Sequence, residues 1–351
     1  MDDVQWTKSN ARYRIICCLL SVVCCLFEVH AQSRLKKFWT KADSILTSRY
    51  YRTSYDTNYV VRPEGKLTLQ LKGNQTGNSI RAKGNVKERH FKSHLTTSHK
   101  TTISIGAAYR GLSAAYSINP AKLAGFYDDY ELSFNYFASR FCIDATYQRS
   151  SSLSGNIHIG DGTYRMASGD TKLKVFNITG YYIFNHRRYS VAAPFSQSYI
   201  QRHSAGSWLA GLSYQGGKVE VTEDGRGKIE AERGKSEGSD IYLSLGHFGI
   251  GGGYGYNLVL RRKWLLHISF LPTFVVYNRN NISIDGERIK TSHMRFDMLF
   301  NERAAIVYNF SSRYFAGINA LANNSLFGSK HVTFHQSKWA AHAFVGMRLW
   351  E

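Results

Sequence analysis

His267-Ile268-Ser269 brings a base and a hydroxyl within two residues of each other. On a strand that spacing puts both side chains on one face. A histidine so placed can take the serine proton and leave a nucleophile for acyl transfer. The surrounding segment, 264–277, decides how far this goes. Trp264, Leu266, Ile268, Phe270, Pro272, Phe274 and Val276 form an apolar face, and His267, Ser269 and Thr273 lie opposite. If the apolar face meets lipid, the pair points away from it, whereas a hydrolase of membrane lipid must turn it toward the bilayer. The expectation is therefore a structural pair. His203 and Ser204 are adjacent and diverge on a strand; a turn could bring His203 to Ser207, but a plain loop is the simpler reading.

His90, His94 and His99 lie among Arg81, Lys83, Lys87, Arg89 and Lys92. Spacings of four and five in a non-helical stretch do not converge on a metal. Five bases against Glu88 leave the stretch at +4, so it is a candidate for attracting the phosphates of anionic lipid. Gly249–Gly255 is glycine-rich, but a strand rather than an amphipathic helix follows. Bending or close packing of a sheet replaces the nucleotide-loop reading. No catalytic, metal or cofactor-binding residue is assigned, and no cofactor is expected.

A second polar set is spread along the chain: Glu131, Asp144, His267, Arg295, Asp297, Arg303, His342 and Arg348. All fall on the hydrophilic phase of alternating segments. Facing a common lumen, groups of mixed sign brace the interior by pairing across it; the other reading is a conduction path lined by the same residues.

The elements that hold these residues have period two. Ile103, Ile105, Ala107 and Tyr109 share a face; so do Tyr130, Leu132, Phe134 and Tyr136, and Phe141, Ile143, Ala145 and Tyr147. Dyads of about ten residues ending in aromatics are the signature of transmembrane strands. A soluble antiparallel sheet also alternates, but here no helical pattern is left to cover one. Twelve strands are predicted, at 66–72, 100–110, 111–118, 130–138, 139–149, 171–184, 208–221, 240–260, 263–277, 292–310, 312–324 and 337–350, within a range of 10–14. Long loops are expected at 73–99, 119–129, 150–170, 222–238, 278–291 and 325–336, and a long periplasm-side return at 185–207. Pro272 cannot donate to a ladder, so a bulge is expected there. Glu302 falls on the apolar phase, which requires a bulge near Phe300-Asn301 or a place at the membrane interface.

Composition agrees with a closed antiparallel transmembrane β-barrel. The 351 residues include 23 Tyr, 20 Phe and 6 Trp, too many aromatics for a disordered chain. The single long apolar run, 15–27, is too short to span a membrane as a helix. Preceded by Lys8, Arg12 and Arg14 and followed by Val29-His30-Ala31, it reads as the core of a signal peptide covering 1–31. Residues 32–65 read as a periplasmic N-terminal segment with a short helix at 35–46, and 66–351 as the barrel. Only Cys142 follows the leader, so the exported chain makes no intramolecular disulfide. The formal net charge is +20, which outside the cytoplasm points to anionic lipid rather than nucleic acid.

Three stretches carry a family resemblance: 55–60 (YDTNYV), 180–185 (GYYIFN), and 189–195 (YSVAAPF) running on to 201–207 (QRHSAGS). Together they resemble the family catalogued as domain of unknown function 4421, outer-membrane β-barrels of Gram-negative bacteria. The resemblance implies a barrel in the outer membrane, in contact with lipopolysaccharide and inserted by the barrel assembly machinery. It carries over no catalytic residue. Leu349-Trp350-Glu351 departs from the usual barrel ending by placing an acid last. The expected role is a non-enzymatic envelope barrel, a passive or gated pore or a structural barrel. The alternative is a barrel enzyme or lipid-handling protein.

Overall fold

The computed structural model describes Thr40, Lys41, Ser44 and residues 55–63, 65, 67–86, 89–97, 100–109, 112–118, 130–233, 241–284, 287–289, 297–328 and 332–349. The chain divides into the units Met1–Thr53 and Ser54–Glu351. In the first, Thr40, Lys41 and Ser44 are helical; the rest of the expected helix and all of the expected leader lie outside the described residues.

The described residues of the second unit are mostly strand. In order come β1 (Val60–Val61), β2 (Leu67–Val86), β3 (Arg89–Thr97), β4 (Lys100–Tyr109), β5 (Leu112–Ile118), β6 (Tyr130–Phe137), β7 (Phe141–Ser150), β8 (Leu153–Ile159), β9 (Gly162–Met166) and β10 (Thr171–Ile183). The short helix α1 (Ala192–Phe195), β11 (Ile200–Gln201), β12 (Ala205–Val221) and the helix α2 (Glu223–Arg233) follow. Then come β13 (Ile241–Leu260), β14 (Trp264–Asn278), β15 (Asn281–Ile284), β16 (Glu287–Ile289), β17 (Met298–Asn309), β18 (Tyr314–Gly328) and β19 (Val332–Leu349). Antiparallel pairing runs β2-β4-β5-β6-β7-β10-β12-β13-β14-β17-β18-β19 and returns from β19 to β2. The ring is closed and has the twelve strands expected. Each strand of this ring pairs with a neighbour on both sides, as a lipid environment demands.

Alternation sets the two faces. Outside are Ile105, Phe134, Phe141, Trp208, Ile250, Ile268, Phe274, Ile318 and Val345, all exposed. Aromatics pack along the outer face at the short-turn end, with Phe141–Tyr182 at 5.2 Å, Trp208–Tyr254 at 5.2 Å and Trp264–Tyr308 at 4.7 Å between ring centroids. Such a belt belongs at a membrane interface. Glu302 keeps its outward phase. β17 holds one register with both neighbours, Phe270↔Glu302 and Glu302↔Ala322, so no bulge turns it inward. It shares a cross-strand row with Ala322 and Trp339. The expected bulge at Pro272 is corrected. The register of β14 against β13 is the same on either side of Pro272 and shifts instead between Phe248 and Gly249.

The long connections differ from expectation. The stretch read as loop 73–99 is the outer half of β2 plus β3, paired through Arg81↔His94 and Lys83↔Lys92. The stretch 150–170 holds the hairpin β8–β9, 222–238 holds α2, and 278–291 holds β15 and β16. The strands flanking 325–336 run on to Gly328 and restart at Val332; 119–129 lies outside the described residues. The physical reason is an inversion of phase. Beyond the apolar band the outer face becomes charged while the inner face becomes apolar, so the segments keep alternating with polarity reversed. Ile80, Leu95, Ile157, Tyr164, Leu173, Val175, Val221 and Ile229 form one buried cluster at that end.

At the other end, 184–204 contributes no strand to the ring, as expected of a return. It folds within the ring, and Tyr189, Val191, Phe195, Gln197 and Tyr199 are buried. Residues 55–61 dock against it: β1 pairs with β11, and the Tyr55 and Tyr199 rings lie 4.9 Å apart.

Candidate functional site

Period-two strands deliver every second side chain to the lumen, where the return meets them. Two ion pairs form there. Arg303 on β17 meets Asp144 on β7 at 2.5 Å, and its Nε donates to Asn301 Oδ1 at 3.0 Å. The guanidinium also lies 5.6 Å from the rings of Tyr181 and of Phe195 in the return. Lys338 on β19 donates to Glu131 on β6 at 3.0 Å.

The other members of the expected ladder bond to neutral groups. Arg348 donates from Nε to the Gln197 carbonyl (3.0 Å), from Nη1 to the Ser312 carbonyl (3.0 Å), and from Nη2 to Gln197 Oε1 (3.3 Å) and Asn309 Oδ1 (3.0 Å). It thereby ties the return to the wall. Asp297 accepts from Asn278 Nδ2 at 2.8 Å and from the Gly328 amide at 3.1 Å. His342 Nδ1 meets Asn74 Oδ1 at 2.8 Å, and Asn74 Nδ2 reaches the Thr102 and Ser104 hydroxyls. Arg295 lies outside the described residues. Charge pairing therefore joins only part of the predicted set.

His267 and Ser269 do meet: Nε2 and Oγ are 3.1 Å apart. Asn257 on the neighbouring strand completes a row, its Oδ1 lying 2.7 Å from His267 Nδ1. Asn257 Nδ2 donates to the Ser190 carbonyl (2.8 Å) and Gln201 Oε1 (3.0 Å), which fixes its amide. An amide oxygen only accepts, so Nδ1 carries the proton and Nε2 is free to accept from Ser269. That is the order a nucleophilic serine needs, but all three residues are buried. Phe195 packs edge-on to the His267 ring at 5.1 Å, and Tyr189 stacks on it at 6.2 Å. A Cβ on inward-facing Gly255 would collide with the Tyr189 hydroxyl, so glycine here makes room for the return, as the close-packing reading of this stretch expects.

His203 is not brought to Ser207. It meets the Asn58 carbonyl at 2.5 Å, while Ser207 Oγ donates to the Trp208 carbonyl. In the return, burial and the nearby Arg140 hold the His186 imidazole below its ordinary pKa.

Within the lumen, against the return, lies a cavity of about 620 Å³. Phe195 and Ser196 line it near the return, and Lys72, His342, Glu131 and Lys338 farther along. Lys338, Asn257 and Gln70, whose Nε2 donates to the Ser196 carbonyl at 3.2 Å, were not singled out from the sequence. Lys338 could have been found: it shares the inward phase of His342. Of the five residues proposed to attract anionic lipid, Arg81, Lys83 and Lys92 are exposed on the β2–β3 hairpin, not on a loop. Arg89 lies in β3, and Lys87 is outside the described residues.

The profile of the domain of unknown function DUF4421 matches residues 54–348. The chain belongs to this family. No curated protein matches it. Among solved structures, the DUF4421 chain is similar to the outer membrane protease OmpT of Escherichia coli, at 7% identity and a TM-score of 0.42, over 82% of this chain and 97% of that one. The COG4313 outer membrane channel of Pseudomonas putida F1 matches at 10% identity and a TM-score of 0.32, over 82% and 98%. The outer membrane protein OprG of Pseudomonas aeruginosa matches at 10% identity and a TM-score of 0.26, over 82% and 98%.

Proposed function

We propose that this DUF4421 chain is exported by its leader to the outer membrane of a Gram-negative bacterium and serves there as a gated, non-enzymatic channel that rests closed. One observation carries this reading: the return 184–204 fills the ring and buries Tyr189, Phe195 and Tyr199. A passive pore needs an open path, whereas here Phe195 and Ser196 of the return wall the cavity on one side. Polar bonds from Arg348, Asn257 and Gln70 hold the return, and such bonds exchange with water when it moves. Planar-bilayer recording of the wild-type barrel tests the resting state. Silent traces with rare openings are expected, and steady conductance at low voltage rules the closed state out.

A second reading, a hydrolase concealed beneath the return, draws on Asn257, His267 and Ser269. Moving the return would expose Ser269, and His267 Nε2 would accept its proton as the hydroxyl attacked an ester. A fluorophosphonate probe should then label an Arg348→Ala variant, and the label should vanish when Ser269→Ala is added. An unlabelled Arg348→Ala barrel whose return has become protease-sensitive ends this reading.

A further inference from the structure

On the outer face of β7, β10 and β12 the wall changes from aromatic to cationic over one or two outward positions. Tyr147, Phe176 and Tyr214 point outward, with Phe176 and Tyr214 rings 6.3 Å apart and Tyr147 6.0 Å from Tyr130. The next outward residues toward the long-loop end are Arg149 and Lys174, and on β12 Lys218 follows Gly216; all three cations are exposed. The register aligns them, Arg149↔Lys174 across one strand pair and Lys174↔Lys218 across the next.

Directly opposed side chains on antiparallel strands are roughly 5 Å apart at Cβ, and like charges there repel. Two successive like-charged oppositions put Lys174 between two cations. Neither Lys174 nor Lys218 makes an ion pair with another described residue. One step farther out the repulsion is absent, because Lys172 faces Glu220. Nor does the row continue round the barrel: the outward positions above Trp339 and Ala322 are Ser337 and Asn324. Lys174 cannot escape by a register slip, because Leu173 and Val175 flank it and are buried. A slip of one residue would bury its charge.

We infer that Arg149, Lys174 and Lys218 bind the phosphate of a lipid headgroup in the leaflet at the long-loop end. The acyl chains lie against Phe176, Tyr147 and Tyr214. Charge complementarity and continuity with the lipid-facing band select this occupant. A phosphate oxygen can bond to neighbouring cations at once and relieves the repulsion the register imposes. This inference rests on the membrane reading of the ring. It fails separately from that reading, since the barrel can assemble whether or not it selects a lipid.

The test is native mass spectrometry of the full barrel from mixed phosphatidylcholine and phosphatidylglycerol vesicles, reading the preference for retained phosphatidylglycerol. A cation near an anionic surface contributes roughly a fivefold effect, so Lys174→Gln with Lys218→Gln should lower the preference about 25-fold. Arginine at both positions should keep it, and Lys172→Gln should change it less than the double variant. An unchanged preference in an assembled Gln double variant overturns the inference. So does equal displacement of phosphatidylglycerol by inorganic phosphate, which would mark a free-anion site. If the Gln double variant does not assemble, a wild-type preference that persists in high salt overturns the inference, and one that fades supports it.

Discussion

Arg348→Ala is expected to open the barrel. Two of the four hydrogen bonds from Arg348 end on Gln197 in the return, at 3.0 and 3.3 Å, and the other two hold the turn between β17 and β18. Its guanidinium also lies 4.6 Å from the ring of Phe315. A hydrogen bond from a charged donor is worth about 1.5–3 kcal/mol. Losing the two that reach the return, with water replacing part of each, costs the closed state about 3 kcal/mol, or roughly 100-fold in the ratio of displaced to seated return. Bilayer recordings should then show frequent openings, and added protease should cut within 185–204. The ring should still migrate faster unheated than heated, because no ladder bond is touched. Arg348→Lys should fall between, since a single ammonium cannot reach acceptors set out for a planar fork. Silent traces with a protected return would remove Arg348 from the gate.

The ring was legible because a transmembrane strand writes its two environments into alternate residues. Ile103, Ile105 and Ala107 against Ser104 and Gly106 give the phase of β4, and the same holds for β6, β7 and β14. Arg81 and Lys83 were misread as loop for a physical reason. Outside the hydrocarbon, charge moves to the outer face, and Ile80, Ala82 and Leu95 take the inner one. A search for apolar-out dyads passes over that reversed pattern.

The lumen was legible only in part. Asp144, Arg303 and Glu131 showed themselves as charges on the inward phase. The bonds from Arg348 to Gln197 and from Asn257 to Ser190 and Gln201 did not, because those partners lie in 184–204, which has no periodicity to say that it turns inside. Two members of the polar row, His267 and Ser269, are visible in their spacing, but Asn257 comes from a neighbouring strand, and only register joins them. That the row is buried follows from the return, which no spacing reports.

The pairs Arg303–Asp144 and Lys338–Glu131 should respond differently to loss of their acid. Side chains of the first are 5% and 12% exposed, and those of the second 8% and 28%. Removing Asp144 leaves a guanidinium enclosed by Tyr181 and Phe195 with, among the described residues, only Asn301 to accept from it. Breaking a buried pair from one side costs about 3–5 kcal/mol, so Asp144→Ala should lower the unfolding midpoint in urea strongly. Adding Arg303→Met should recover most of the loss, because the stranded charge goes with it. Both pairs line the cavity, but Glu131→Ala should cost less than Asp144→Ala, since the Glu131 side chain is 28% exposed and its partner is a flexible ammonium that water hydrates more readily than a guanidinium held between two rings. Urea titration of the vesicle-embedded barrel, scored by the heat-sensitive gel shift, measures all three. Equal losses for Asp144→Ala and Glu131→Ala would mean that water reaches Arg303 too, and the lumen would then be wet down to the return.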